Sequence, residues 1–115
     1  MNWSIRSAAT GDVSEVFRMI RELAEFESLA SEFKLREETL AEWLASGQVG
    51  CLLAESGGDC VGFALYYFTY STFRGRRGIF LEDLYVRPAF RQHGIGTACF
   101  LRLAEIARSL ACFRF

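Results

Sequence analysis

The apolar residues of this chain follow two different periods, and together they predict an α/β fold. Short segments rich in β-branched and aromatic residues alternate with longer segments whose apolar residues recur every three or four positions. The predicted order is βααβββαβ, with the helices packed on one central sheet. The last helix lies between two predicted strands. Such a crossover makes those strands parallel, so we expect a mixed, mostly antiparallel sheet.

The first half of the chain contains one predicted strand and two predicted helices. Residues 3–8 alternate between apolar and polar side chains, which is typical of a half-buried strand. From Val13 to about Phe26 the apolar residues fall at helical spacing. Residues 27–33 are predicted to be irregular. Residues 35–46 have a helical composition, and Gly47 follows them as a stop signal.

The second half is predicted to contain the central strands. These strands are placed at residues 49–55, 60–70 and 79–86. A Ser-Gly-Gly-Asp turn at 56–59 joins the first two, and a loop with three arginines at 71–78 joins the last two.

The end of the chain is predicted to form a helix and the beginning of a further strand. Residues 97 to about 110 form an amphipathic pattern, and residues 111–115 are assigned to the strand. A length of 115 residues suits one domain with one core, so residues 1–115 are taken as a single domain.

Composition excludes several classes of protein. Apolar residues make up 51% of the chain and the net charge is −1, so we expect a folded domain without bulk attraction to nucleic acid or anionic membranes. The four cysteines lack C-x-x-C spacing and His93 is the single histidine, which argues against a metal site. The N-terminus lacks an apolar signal core, and the apolar run at 61–70 is too short to span a bilayer. We therefore expect a cytoplasmic protein.

A phosphate-binding loop is predicted where a strand meets the last helix. Arg91, Gly94 and Gly96 form an R-x-x-G-x-G motif that opens this helix. The N–H groups at a helix N-terminus are unpaired and carry the positive end of the dipole, so they suit a pyrophosphate. Glycine lets phosphate oxygens approach the backbone, and Arg91 adds positive charge. The alternatives are a plain loop-to-helix turn and a nucleotide-binding P-loop, but no Gly-Lys-Ser/Thr follows the glycines.

This motif resembles the acyl-CoA loop of the GCN5-related N-acetyltransferases (GNAT). The segments Ile20–Glu27, Val61–Tyr70 and Leu81–Asp83 resemble the branch that contains the spermidine/spermine (diamine) and thialysine N-acetyltransferases. The resemblance covers essentially the whole chain. It implies a GNAT fold and acetyl transfer from acetyl-CoA to a primary amine. It also implies that the C-terminal third of the family domain is missing, together with the tyrosine that protonates the leaving thiolate.

The resemblance also implies where the cofactor lies. The backbone of Leu84, Tyr85 and Val86 matches the positions that contact the pantetheine arm. The pyrophosphate would be bound by the N–H groups of the loop and the first helical turn, which are Gln92, His93, Gly94, Ile95, Gly96 and Thr97. The side chains of Leu84 and Val86 are also interpreted as core residues, and His93 as an exposed residue without a catalytic role.

Glu82 is the residue predicted to bind the substrate ammonium and relay its proton through water. The resemblance implies that a backbone N–H near Leu84, in a bulge of this strand, stabilises the oxyanion. Strand alternation places Glu82 and Leu84 on one face and Asp83 and Tyr85 on the other. The alternatives are a solvated carboxylate for Glu82 and a structural role for Asp83.

The remaining predicted contacts concern the amine. Phe26 and Glu27 match positions that line the amine site in the family, although Glu27 also fits a solvated charge after a helix. Polyamine-preferring members carry an acidic residue where this chain has Ser71 and Thr72, which favours a smaller amine with an amino-acid end. Both residues also fit turn chemistry. We expect a small diamine, polyamine or thialysine-like substrate and a homodimer. The rival hypothesis is a CoA-binding or structural remnant without catalysis.

Overall fold

A computed structural model describes residues 2–115. The strands and helices are β1 (Ser4–Ser7), α1 (Val13–Phe26), α2 (Glu37–Ser46), β2 (Gly50–Ser56), β3 (Asp59–Ser71), β4 (Arg76–Val86) and α3 (Ile95–Ser109). Short 3₁₀ turns occur at Thr10–Asp12, Ala30–Glu32 and Pro88–Phe90. The first seven predicted elements are therefore confirmed, with boundaries that differ by a few residues.

The four strands form one sheet in the order β1-β2-β3-β4, and each neighbouring pair is antiparallel. The predicted strand at 111–115 is wrong. Ala111 has a φ of 55° in the turn that ends α3. The extended backbone after this turn is therefore too short to form a β-ladder with β4. Two hydrogen bonds still join this segment to β4: Phe113 N–H donates to Arg77 O at 2.8 Å, and Ile79 N–H donates to Arg114 O at 3.1 Å. Within residues 2–115 the sheet is antiparallel rather than mixed.

Helices cover both faces of the sheet. On one face, α1 and α2 pack over a cluster that includes Val16, Met19, Leu40, Leu53, Phe63, Leu65 and Tyr85. On the other face, α3 packs over Leu52, Ala54, Val61, Ala64, Ile95, Cys99 and Leu103. Residues of both faces of β2 and β3 are buried, which explains why these strands are continuously apolar rather than alternating.

The cysteines are free thiols and three of them, Cys51, Cys60 and Cys99, are buried. Burial raises the pKa of the Cys51 thiol to about 12, so this side chain behaves as a small apolar residue. None of the helices within residues 2–115 combines the length and the apolar character needed to cross a bilayer.

Gly62 lies where β3 and β4 are closest, and this contact generates a stability prediction. A Cβ at Gly62 would lie 2.9 Å from the Tyr85 carbonyl oxygen and 3.4 Å from Val86 Cα. Because backbone atoms must move, we expect Gly62→Ala to lower the free energy of unfolding by about 1–3 kcal/mol in urea titrations. Gly11→Ala is the control, since its Cβ would meet no atom within 4 Å. Equal losses in both variants would contradict this account.

Candidate active site

β4 contains a bulge at Glu82. Asp83 pairs with Leu65 and Leu81 pairs with Tyr66, so Glu82 is an extra residue without a partner on β3. A bulge interrupts the regular alternation of side chains along a strand. Glu82 and Asp83 consequently line the same cavity on the face covered by α1 and α2. The predicted separation of these two carboxylates onto opposite faces is therefore wrong.

Leu84 lies on the opposite face, beside α3. Its Cδ2 atom would be 3.9 Å from a Cβ placed on Gly96, in the first turn of that helix. The prediction that Glu82 and Leu84 share a face is wrong for the same reason. The extra residue shifts the alternation of side chains between the two faces, so Glu82 and Leu84 point to opposite faces. The bulge itself lies at Glu82, two residues before the position predicted for it.

The bulge also determines which peptide groups of β4 face outward. Arg87 N–H donates to the carbonyl oxygen of Val61 on β3 at 2.8 Å. In an antiparallel ladder, the residues that bond to the partner strand recur at every second position. The N–H and C=O groups of Leu84 and Val86 therefore point away from β3. This outer edge is where the Leu84 N–H was predicted to act.

A cavity of about 420 Å³ separates β4 from α2 and the segment before it. Its apolar lining consists of Ile20, Leu35, Leu40, Trp43 and Leu65. Its polar lining consists of Glu82, Asp83, Lys34, Arg36 and Thr39. A concave, largely apolar site with a few polar groups is typical of small-molecule binding.

Asp83 is half-buried in this cavity, and its carboxylate makes no hydrogen bond or ion pair with residues 2–115. Burial raises the pKa of Asp83 to about 6, and the charges of Glu82 and Glu27 add to the shift. A carboxyl group with this pKa exchanges a proton near neutral pH, which suits a general base. Phe26 and Glu27, at the end of α1, are not among the residues that line this cavity, and their predicted contact with the amine stays a prediction.

Glu22 on α1 ties the end of β4 in place. Its carboxylate accepts a hydrogen bond from the Tyr85 hydroxyl at 3.0 Å and two from Arg87 at 3.0 and 2.8 Å. Arg87 also donates to Cys60 O at 2.7 Å. The Arg87 guanidinium lowers the pKa of Glu22, so the carboxylate stays charged. Tyr85 is thus a buried anchor. Its backbone groups, two positions before Arg87, face β3 rather than the outer edge, and its predicted contact with the cofactor stays a prediction.

The loop before α3 has the geometry predicted for an anion site. Gly94 is the N-cap of α3 with a φ of 84°, and no side chain caps the helix. The N–H groups of Ile95, Gly96 and Thr97 therefore have no acceptor within the helix. The Ile95 side chain is buried in the core beneath them. Trp3 Nε1–H donates to His93 O at 3.2 Å and fixes the loop from the other side.

Arg91 points away from these N–H groups. Its Nε donates to Val86 O at 2.8 Å, and its guanidinium carbon lies 4.5 Å from the centre of the Phe26 ring and 5.8 Å from that of Tyr85. Arg91 thereby links the exposed end of α1 to the outer edge of β4. Its predicted contact with phosphate stays a prediction, as does that of Gln92, which has a φ of 65° in the loop.

Ser71 and Thr72 lie at the far end of the β3–β4 hairpin. Ser71 pairs with Arg76. Glu82 lies six positions after Arg76 on β4. Six positions of a strand span about 20 Å. The two hydroxyl residues line a separate groove with Arg74 and Arg114. The structure does not bring them together with Glu82, and their predicted substrate contact stays a prediction.

Sequence reasoning missed two groups of residues. Glu22 and Arg87 are about 65 positions apart in the sequence, and their pairing is not marked by any local pattern. The cavity is also lined by Thr39 and Trp43 of α2 and by Lys34, which lies between the segment predicted as irregular and the second predicted helix. For Lys34 a signal was present, since it is the single lysine of the chain and lies between apolar residues.

Fold and site together define an acyltransferase-type domain, with a bulged, open-edged strand leading into a glycine loop and an uncapped helix. Residues 17–115 match the acetyltransferase (GNAT) family, and the chain belongs to that family. It is an acetyltransferase by family.

Three of the relatives that match this chain are named for amine substrates. The chain is 43% identical to the thialysine N-epsilon-acetyltransferases of Sus scrofa and Mus musculus, covering 96% of this chain and 71% of each relative. It is 38% identical to the spermidine/spermine N(1)-acetyltransferase-like protein 1 of Homo sapiens, over 96% of this chain and 17% of that protein. The relatives therefore belong to the predicted branch.

Solved structures confirm the fold. An aminoglycoside acetyltransferase from a soil metagenome superposes with a TM-score of 0.82 at 22% identity, covering 99% of this chain and 77% of that one. A ribosomal-protein-alanine N-acetyltransferase from Brucella melitensis gives the same TM-score and coverage at 20% identity. At these identities the agreement concerns the fold alone.

The raised pKa of Asp83 generates a prediction about stability and pH. The pKa is about 6 in the folded chain and about 3.9 when unfolded, so the folded state binds more protons between these values. The free energy of unfolding should therefore fall as pH rises from about 4 to about 6, by roughly 1 kcal/mol after solvent screening. Asp83→Asn should remove this contribution, as measured by urea unfolding across that range.

Asp59→Asn is the matched control, because Asp59 is an exposed residue at the start of β3. It should retain the pH dependence of the parent. An Asp83→Asn variant whose pH dependence equals that of the parent would show that Asp83 ionises normally.

Proposed function

We propose that this protein transfers an acetyl group from acetyl-CoA to a primary amine of a small substrate, with a thialysine-like amino acid as first candidate. The observation that carries the proposal is the pair Glu82 and Asp83, which line one apolar-walled cavity. The raised pKa of Asp83 and the names of the most similar relatives support it.

The residues around α3 fit the phosphate end of the co-substrate. The free N–H groups of Ile95, Gly96 and Thr97 would bind a pyrophosphate, and Gly94 and Gly96 present no Cβ in its path. The outward peptide groups of Leu84 and the N–H of Val86 would bind the amide-containing arm along the outer edge of β4, where the Val86 carbonyl already accepts from Arg91. When bound, acetyl-CoA supplies the acetyl thioester.

The carboxylates of the cavity would bind and deprotonate the amine. An alkylamine has a pKa of roughly 10 and is protonated at neutral pH, so it must lose a proton before it reacts. Glu82 and Asp83 attract the ammonium, and Asp83 is suited to accept its proton because its pKa lies near neutrality. The Leu84 N–H at the open edge is available to stabilise the oxygen that becomes negative.

A second candidate is a domain that binds CoA without turnover. The observation that favours it is that the free N–H groups at the start of α3 lie on a different element from Glu82 and Asp83, so binding of the phosphates does not require the carboxylates. Separate measurements of binding and turnover distinguish the two candidates.

Calorimetric titration with acetyl-CoA tests the binding site. We expect Gly94→Asp to raise the dissociation constant more than tenfold, because a negative side chain would stand at the N-cap where phosphate is expected. Gly75→Asp is a matched control. Both glycines have a positive φ. A Cβ at Gly94 would meet only Trp3 Cζ2, at 3.8 Å, and a Cβ at Gly75, in the β3–β4 turn, would meet no atom within 4 Å. Equal weakening in both variants would contradict the assignment of the loop.

Turnover of thialysine tests the catalytic assignment. We expect kcat/KM of the parent to increase with pH through about 6, as Asp83 loses its proton. Asp83→Asn should reduce kcat by about 100-fold and remove that limb of the profile. Asp59→Asn should behave like the parent. Binding of acetyl-CoA without turnover by the parent would favour the second candidate.

A further inference from the structure

We propose that the cavity recognises an amine that also carries a carboxylate, and that Lys34 binds this carboxylate. The inference rests on the proposed function and names a specificity-determining residue for it. Two carboxylates and two basic side chains line the same cavity.

The two kinds of charge come from different parts of the fold. Glu82 and Asp83 extend from β4, whereas Lys34 and Arg36 belong to the segment that leads into α2. Leu35 and Trp43 are among the apolar residues that complete the wall. A ligand with an ammonium group at one end and an anionic group at the other would match both kinds of charge. An amino acid with a side-chain amine has this charge pattern.

Lys34 is better suited to this contact than Arg36. Arg36 forms an ion pair with Glu38, with 3.3 Å between Nη2 and the Glu38 carboxylate. Lys34 has no ion pair with any residue from 2 to 115. Lys34 is exposed, and an unpaired lysine on an open surface is ordinary, but this one also borders an apolar-lined cavity. Charges interact more strongly there than in bulk water.

The same lysine would disfavour a diamine. A diamine bound with one amine at Glu82 and Asp83 would bring its second positive charge toward Lys34. Specificity commonly combines such repulsion with an attractive contact for the preferred ligand. Ser71 and Thr72, which from sequence alone are candidates to bind a substrate carboxylate or amide, lie about 20 Å along the hairpin from Glu82. Lys34 lines the cavity directly.

The kinetic test uses two substrates that differ only in the carboxylate: thialysine and its decarboxylated analogue, bis(2-aminoethyl) sulfide. We expect Lys34→Gln to raise KM for thialysine about tenfold without lowering kcat, because the lost contact is remote from the reacting amine. KM for the analogue should stay constant or fall. Arg102→Gln, on the exposed side of α3, is the charge-matched control. Equal changes in KM for both substrates, or none for thialysine, would overturn the proposal.

A second measurement is independent of turnover. Lys34 is the single lysine, so protein labelled with ¹⁵N-lysine gives one side-chain ammonium signal in NMR spectra. Thialysine should shift this signal saturably, and its analogue should not. If this occurs without acetyl transfer by the parent, the recognition of a carboxylate stands and the proposed catalysis fails. An unchanged Lys34 signal with saturating thialysine would overturn the inference whatever the activity.

Discussion

The bulge at Glu82 is the constraint on which the rest of the site depends. One additional residue in β4 changes both the side-chain face and the hydrogen-bonding phase of everything that follows. With it, Asp83 joins Glu82 in the cavity under α1 and α2, and Leu84 turns toward α3. The peptide groups of Leu84 and Val86 also turn toward the open edge of the sheet. The carboxylates and the outward backbone thereby lie at successive positions of a single strand.

Such an arrangement requires support, because an open edge strand that carries a half-buried carboxylate, that of Asp83, is costly by itself. Glu22 supplies that support from α1 through Tyr85 and Arg87. Arg91 adds a second connection between α1 and the edge, through Phe26 and the Val86 carbonyl. Removing one partner of such a pair leaves a partly desolvated charge, so these contacts matter more than exposed ion pairs do. The cavity can therefore hold Asp83 with a raised pKa while the strand that bears it remains fixed.

Much of the fold could be predicted from sequence because local patterns determine it. The period of two in β1, the helical spacing in α1 and the glycines of the β2–β3 turn each act over a few neighbouring residues. The loop before α3 was predictable for the same reason, since a strand, two glycines and a helix follow one another directly. The position of the bulge was not, because a strand with one additional residue still has the composition of a continuous strand, and the family resemblance implied a bulge near Leu84 rather than at Glu82. The Glu22–Arg87 pair was also hidden, since it depends on how α1 packs on the sheet.

The positions of individual charges determine the properties of this site, and the net charge of the chain does not reveal them. A net charge of −1 gives almost no long-range field, and interactions beyond about 10 Å are screened at ordinary ionic strength. Selectivity must therefore arise from charges that share a small volume. Glu82 and Asp83 attract any ammonium, including that of a polyamine, so they select for an amine and not for a particular one. The unpaired Lys34 introduces a difference between amines, because it attracts a carboxylate and repels a second ammonium. Under the proposed function, the carboxylates of β4 select an amine as the reacting group. Lys34, in the segment before α2, determines which amine-containing molecule is bound.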